Sequence, residues 1–286
     1  MQELYTKYKR LLFKLAYQLT GSVSDAEDVV QDVFLKVYDV PEDKLAEPKA
    51  YLCKMVTNRC RDLYKSARKR REEYFGEWLP EPFLSSNEDS MESVVRDDLL
   101  SYAMIALLER LTPSERAVFV LREALGFDYQ EIATLVEKSE ANCRKLFSRA
   151  HAKMGLTSED LVHRESADYE WVYGFLAALK QGNMNQLLSM LDQEVILVSD
   201  GGGKVQAAIN PIITPDRVAR FLLGPIRQVS TTDEAAVKVV EINGQPGIIL
   251  SSRKGVDSVL MLHVEGHLIR NLYIVRNPDK LSHVIK

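Results

Sequence analysis

The sequence predicts a multidomain protein, two small all-α domains followed by an α+β domain. Three observations carry that expectation. Apolar residues recur at helical spacing from Glu3 to Met154. From Glu194 onward the period shortens to the two-residue alternation of strands. Within the helical part, Glu72 to Glu92 is rich in Pro, Ser, Asn and acidic residues, the composition of a linker.

The elements follow in order. Leu4, Leu11, Leu12, Leu15 and Leu19 mark a first helix, Glu3 to Leu19, ended by Gly21. Ser24, with Glu27 three residues on, predicts the capping box of a second. That helix collects Val29, Val30, Val33, Phe34 and Val37 on one side and Asp25, Asp28, Gln31, Asp32 and Lys36 on the other. Pro41 and Pro48 bracket a loop, Val40 to Lys49, and a third helix is expected from about Ala50 to Arg70. Its inward residues are Leu52, Met55, Val56 and Leu63.

The linker contains Trp78-Leu79-Pro80-Glu81-Pro82-Phe83. Two large aromatics are costly to leave in water, so this stretch is expected to dock on a folded surface. Asp98 to Leu111 reads as another amphipathic helix. Thr112 caps the next, with Pro113 at its first position, and Gly126 breaks it. Asp128 caps Tyr129 to Val136, and a Glu137-Lys138 turn leads to a helix from about Ser139 to Met154, a helix-turn-helix pattern. On the last helix Arg144, Lys145 and Arg149 share one face, where recognition residues sit, and Leu146, Phe147 and Ala150 are assigned to the core.

Two helices, Ala167 to Lys180 and Asn183 to Leu191, open the last domain. Strands are expected at Val195 to Ser199, Ala236 to Ile242, Gly247 to Ser251, Val256 to Val264 and His267 to Val275, with a helix from Asp216 to Leu222 between the first two. Gly244, Gly255 and Gly266 punctuate the strands as hairpin turns. Helices followed by a meander of long strands indicate a curved sheet wrapped on helices.

Composition narrows the function classes. The net charge of −4 argues against indiscriminate coating of nucleic acid. Its distribution says more: Arg59 to Arg71 holds seven Lys/Arg and one acid, while the acids cluster at Asp25 to Asp32 and Glu72 to Glu92. Such segregation suits DNA on one face and a protein partner on another. Cys53, Cys60 and Cys143 are odd in number and lack paired spacing, so neither a disulfide framework nor a zinc site is expected. No apolar run approaches the roughly 20 residues of a membrane span, and Met1 to Arg10 lacks the pattern of a secretory signal. The expected address is the cytoplasm.

A basic helix alone is as well read as a solvated face, and a trihelical pattern alone as a protein-binding bundle. Their pairing on one chain favours a reader of two separated DNA sites. Longer motifs sharpen this. Gly21-Ser22-Val23-Ser24-Asp25-Ala26-Glu27-Asp28-Val29-Val30-Gln31-Asp32-Val33-Phe34, Pro48-Lys49-Ala50-Tyr51-Leu52 and Asn58-Arg59-Cys60-Arg61-Asp62 resemble region 2 of extracytoplasmic-function sigma factors. Leu111-Thr112-Pro113-Ser114-Glu115-Arg116 and Tyr129-Gln130-Glu131-Ile132-Ala133 resemble region 4.

The resemblance implies roles. Asp25, Asp28, Gln31, Asp32 and Lys36 would bind the β′ clamp of the RNA polymerase core. Tyr51, Asn58, Arg59, Arg61, Lys65 and Arg68 would open and read the −10 element of promoter DNA. Basic groups beside stacking surfaces suit the single strand that opening exposes, and the Val40 to Lys49 loop is placed to trap a flipped base. Tyr51 stands where many relatives carry Trp. Asn142, Arg144, Lys145, Ser148 and Arg149 would read the −35 element, with region 4 also touching the β flap.

Such sigma factors normally end soon after region 4. Here the remainder resembles a SnoaL-like domain of the NTF2-like superfamily, as found fused in one subgroup. Trp78-Leu79-Pro80-Glu81-Pro82, Asp200-Gly201-Gly202-Gly203-Lys204 and Asn277-Pro278-Asp279-Lys280-Leu281 carry that likeness. It implies control in cis, with Trp78, Leu79, Pro80, Asp200, Gly201, Gly202, Gly203, Lys204, Asn277, Pro278 and Asp279 as interdomain contacts. The expected division is 1–74 region 2, 75–97 linker, 98–156 region 4, 157–166 linker and 167–286 regulatory domain.

The glycine run lacks the rest of a nucleotide-binding fingerprint, and Asp200, Asp257, His263 and His267 form no convincing acid–base set. No catalytic residue, cofactor or metal is expected. The alternatives are a small-molecule ligand held by the last domain, or an isomerase or cyclase fused to a DNA-binding module.

Overall fold

A computed structural model describes residues 2–38, 40, 45, 47–72, 74–84, 101–155, 168–229, 236–253 and 255–284. The chain divides into two compact units. A helical unit comprises Met1–Glu73 and Met104–Val162, and a C-terminal unit comprises Tyr74–Ala103 and His163–Lys286.

In the helical unit α1 (Gln2–Thr20), α2 (Val23–Tyr38) and α3 (Pro48–Glu72) form the first module. Their apolar stripes meet at Leu12, Leu15, Val29, Val33, Leu52 and Val56, all buried. The cap of α2 is Ser22, whose Oγ accepts from the Asp25 amide at 3.1 Å. The expectation of Ser24 was two residues late, because Gly21 turns the chain immediately at φ +69°. Most of the Val40 to Lys49 loop lies outside the described residues.

The second module starts with α4, Tyr102–Leu108, shorter than the Asp98 to Leu111 helix expected. Residues 98–100 are not described, and the chain leaves the helix in a turn at Glu109–Arg110 so that Thr112 can cap afresh. There α5 (Pro113–Glu123) carries a full capping box, Thr112 with Glu115. Asp128 and Glu131 repeat the device on α6 (Tyr129–Val136), and Ser139 caps α7 (Glu140–Met154). Of the residues of α7 assigned to the core, Ala150 is buried but Leu146 and Phe147 are only half-buried; Cys143 and Met154 complete the inward face.

The two modules are packed together. Arg116 of α5 is 1% exposed. Its Nε donates to the Gln18 carbonyl at 2.5 Å and its Nη1 pairs with Glu109 at 2.5 Å. Such partners offset the cost of taking a cation so far out of water. Burial alone would raise the Glu115 carboxyl, but hydrogen bonds from Lys153 and Thr112 outweigh it and hold it below the ordinary carboxylate value.

The C-terminal unit lays α8 (Tyr169–Lys180), α9 (Met184–Met190) and α10 (Pro215–Val229) on a six-stranded sheet ordered β2-β1-β6-β5-β4-β3. The strands are β1 (Leu191–Asp200), β2 (Ile212–Ile213), β3 (Ala236–Ile242), β4 (Gln245–Ser252), β5 (Gly255–Glu265) and β6 (Leu268–Val275). From β3 to β6 the sheet is the expected meander, but β1 joins it parallel to β6. The β3–β4 turn places Asn243 and Gly244 both at positive φ, the requirement of a tight primed hairpin. Register shifts in the β1–β6, β4–β5 and β5–β6 pairings bend the strands around the helices. Phe175, Leu179, Leu187, Leu197, Val218, Ile248, Leu262 and Leu272 fill the space between the layers. A short α11, Pro278–Leu281, follows β6.

Replacing Arg116 with Ala removes the cation of a buried pair and its bond to the Gln18 carbonyl. The helical unit is expected to lose about 3 kcal/mol or more in urea unfolding, with Glu109→Gln costing less because the Gln18 contact survives.

Candidate nucleic-acid interface and linker clamp

On the outer side of α2, Asp28, Gln31 and Lys36 are exposed, and Asp25 and Asp32 are half-buried. Leu35 and Tyr38 stand among them at 65% and 71% exposure. They line a groove of about 700 Å³ with Tyr5, Phe13, Val30 and Phe34. An acidic rim around apolar side chains is the make-up of a protein-docking face.

The basic helix α3 is differently placed. Arg59 closes onto Asp32, Nε and Nη2 reaching Oδ2 at 2.9 and 2.8 Å. Arg61 is exposed, Tyr51 and Asn58 are half-buried, and the side chains of Lys65 and Arg68 lie outside the described residues. Arg61 and Tyr64 border a narrow cleft whose opposite wall is Pro113, Ser114, Ala117 and Lys138 of the second module. Further contacts join the modules: Lys49 Nζ donates to the Leu125 carbonyl at 3.3 Å, and Lys54 pairs with Glu137 at 3.2 Å. Burial pushes the thiols of Cys53 and Cys60 up to about 12, so both are inert packing groups.

On α7 the outward side chains are Asn142, Arg144, Lys145, Ser148 and Arg149, opposite buried Cys143 and Ala150. Arg144 is steadied before any ligand arrives. It bonds Glu140 at 2.6 Å and lies 4.4 Å from the Tyr129 ring centroid. Arg122 lies 4.9 Å from the centroid of that ring. An arginine held by stacking loses less freedom when it engages a base or phosphate.

In the C-terminal unit the linker is bound as an extra strap. Asp200, at the end of β1, is fully buried. Its Oδ1 accepts from the Tyr74 hydroxyl at 2.6 Å and the Gly202 amide at 3.0 Å. Its Oδ2 accepts from the Leu79 amide at 2.9 Å and Lys280 Nζ at 2.7 Å. Lys280, also buried, donates to the Leu79 carbonyl at 2.5 Å and lies 3.9 Å from the Trp78 ring centroid. Asn277 Nδ2 donates to the Tyr74 oxygen at 2.8 Å. Burial, then the bond to Asp200, hold the Tyr74 phenol well above its ordinary pKa, so it remains a donor.

Further along, Phe83 and Asn243 exchange two hydrogen bonds, Leu84 bridges Ile242 and His283 Nε2 meets the Pro82 carbonyl at 2.7 Å. The strap's far end returns to the same surface. Tyr102 donates to the Pro80 carbonyl at 2.7 Å, and its ring packs on Tyr273.

Two Sigma-70 models match the helical sequence, region 2 over residues 4–70 and region 4 over residues 101–154. The extracytoplasmic-function sigma factor SigJ of Mycobacterium tuberculosis is 33% identical over 284 residues, 95% of this chain and 90% of that one. This chain belongs to the extracytoplasmic-function sigma factors. The probable sigma factor SigI of the same organism is 30% identical over 96% of this chain and 92% of its own length. The crystal structure of SigJ superposes with a TM-score of 0.79 at 28% identity, covering 99% of this chain and 98% of that one. The chain thus directs RNA polymerase core to promoter DNA, and its third part is an α+β domain.

Of the residues singled out in the sequence, Trp78, Leu79, Asp200 and Asn277 are brought together, with Pro80 beside them. Gly202 packs so closely on Asn277 that a Cβ would collide with its amide. Lys204 pairs with Asp279 at 2.5 Å. Pro278 sits at the first turn of α11 and positions Lys280. Sequence reasoning missed Lys280 and Tyr74, and it missed Leu35 and Tyr38 on α2. Among the described residues, no cluster of three or more His, Cys, Asp or Glu is placed to hold a metal, and no helix is long and apolar enough to cross a membrane.

Asp200→Asn leaves the Lys280 ammonium buried without its counter-charge. The expected loss is about 3–5 kcal/mol in denaturant unfolding of the C-terminal unit. The double variant with Lys280→Met should recover part of it.

Proposed function

We propose that the C-terminal domain controls this sigma factor in cis by holding the linker, and so sets how far regions 2 and 4 can separate. One observation carries the reading: Asp200 and Lys280 grip the linker at Tyr74, Trp78 and Leu79, and Tyr102 at its far end packs on the same domain. A free tether over residues 74–103 would reach about 100 Å fully extended. Clamping it at both described ends removes most of that reach.

The state of the helical unit supports the same reading. Regions 2 and 4 are packed on one another through Arg116, Lys49 and Lys54, with Arg61 and Tyr64 turned toward region 4. Two modules so joined cannot engage two separated elements at once, so promoter reading requires them to part. In the parted state Arg59, Arg61, Asn58 and Tyr51, with Lys65 and Arg68, serve the −10 element. Asn142, Arg144, Lys145, Ser148 and Arg149 serve the −35 element. Asp28, Gln31 and Lys36, with Asp25 and Asp32, form the polar surround of the β′ clamp contact, and Leu35 and Tyr38 are its apolar centre. The protein works beside the polymerase, in the cytoplasm.

The C-terminal domain takes no catalytic part in this account. Asp200 already accepts four hydrogen bonds, and His263 is engaged by Asn271 at 3.1 Å and Glu265 at 3.4 Å. Asp257 accepts from Ser252 at 3.1 Å, and His267 occupies a positive-φ turn.

The test is run-off transcription with core polymerase on promoters that differ only in the spacing of the two elements. The full-length chain should be confined to a narrow set of spacings. The Asp200→Asn/Lys280→Met variant should give roughly fivefold or more transcript at the disfavoured ones. Identical spacing profiles would contradict control through the linker.

A further inference from the structure

The packed interior of the C-terminal domain leaves the sheet's concave face covered by its own side chains, yet beside it lies a cleft of about 410 Å³. We propose that this cleft, between the Asp200–Lys204 loop and linker residues Phe75 and Gly76, binds a small uncharged molecule with an apolar body and one hydrogen-bonding head.

Its volume falls within the range of small-molecule sites, about 300–1,000 Å³. The polar point of the cleft is Ser199. Strand alternation puts it in the row of Val195 and Leu197, one step beyond the filled core. It is 2% exposed, and its hydroxyl has no hydrogen-bond partner among the described residues. A buried hydroxyl left unpaired is a standing cost that the head group of a ligand would remove.

Apolar side chains line one part of the cleft. Phe75, Val205 and Ile209 line it with Ala207 and Ala208, and the first three are exposed by 62%, 38% and 56%. Lys204 is the one charged residue among the described lining, and its ammonium is already paired with Asp279. That disposition favours a neutral molecule over an anion.

The walls are preformed. The Lys204 and Val205 amides both donate to the Gly201 carbonyl, Arg276 Nη1 fixes the Gln206 carbonyl, and a Cβ at Gly201 would strike the Val205 carbonyl. Phe75 follows Tyr74, which Asp200 holds, so an occupant touches the clamped linker directly. Any effect on transcription rests on the reading above; the binding does not, and binding alone is what the test reads.

The probe is 6-propionyl-2-dimethylaminonaphthalene, a neutral fused-ring ketone whose emission shifts to the blue in apolar surroundings. Titrated into the full-length chain, it should bind saturably at one site per molecule. Ser199→Ala should weaken binding roughly three- to tenfold by removing the donor to the carbonyl. Val205→Asp, at an exposed position, should weaken it roughly tenfold or more by placing a charge on the apolar wall. Leu35→Asp, in the competing groove of region 2, should leave it unchanged, with circular dichroism checking that all variants are folded. Non-saturable binding, binding indifferent to both Ser199→Ala and Val205→Asp, or binding lost in Leu35→Asp would overturn the site.

Discussion

A carboxylate and an ammonium buried together destabilise a fold unless their remaining hydrogen-bonding positions are also met. Asp200 and Lys280 meet that condition only because the linker is present. Tyr74 and the Leu79 amide complete the acceptor set of Asp200, and the Leu79 carbonyl and the Trp78 ring complete the surroundings of Lys280. The pair therefore belongs neither to the domain nor to the linker alone. Remove the strap, and the domain is left with a half-solvated charge pair at the mouth of β1. This reciprocal dependence makes a segment of the promoter-reading half of the chain part of the fold of the C-terminal half.

The helical unit shows the same logic at a second place. Arg116 reaches from region 4 to a backbone carbonyl at the end of α1, and no neutral side chain there would tie the modules as specifically. Its contact and the peripheral ones from Lys49 and Lys54 are polar, which suits the parting proposed for promoter reading. Large hydrophobic interfaces separate less readily. Among the described residues of the helical unit, the exposed large apolar side chains are Leu35 and Tyr38 of α2.

Local features were the legible part of this sequence. The caps at Thr112, Asp128 and Ser139, the hairpins at Gly244 and Gly266 and the outward face of α7 all follow from residues a few positions apart. The motifs around Trp78, Asp200 and Asn277 were visible as well, but what joins them was not. Lys280 stood inside one of the quoted motifs and passed unremarked, because lysine is ordinarily a surface residue and nothing within five positions announces burial. Tyr74 sits at the edge of a basic and acidic stretch that reads as solvent-facing. Strand β2 is too short to show any period, and the parallel pairing of β1 with β6 depends on contacts about eighty residues apart. The pairing of Lys204 with Asp279 was likewise illegible, because it spans 75 residues and depends on α11 being folded.

Amide hydrogen exchange on the full-length protein tests the central claim most directly, read at the linker amides of Leu79 and Phe83. Those two N–H groups donate to Asp200 and Asn243, so they should exchange orders of magnitude more slowly than an unstructured chain. In Asp200→Asn, Leu79 should exchange nearly freely while the central strands β5 and β6, although weakened, remain protected. Free exchange at both amides in the unmodified chain would contradict the account, because the linker would then be a tether and not part of the domain.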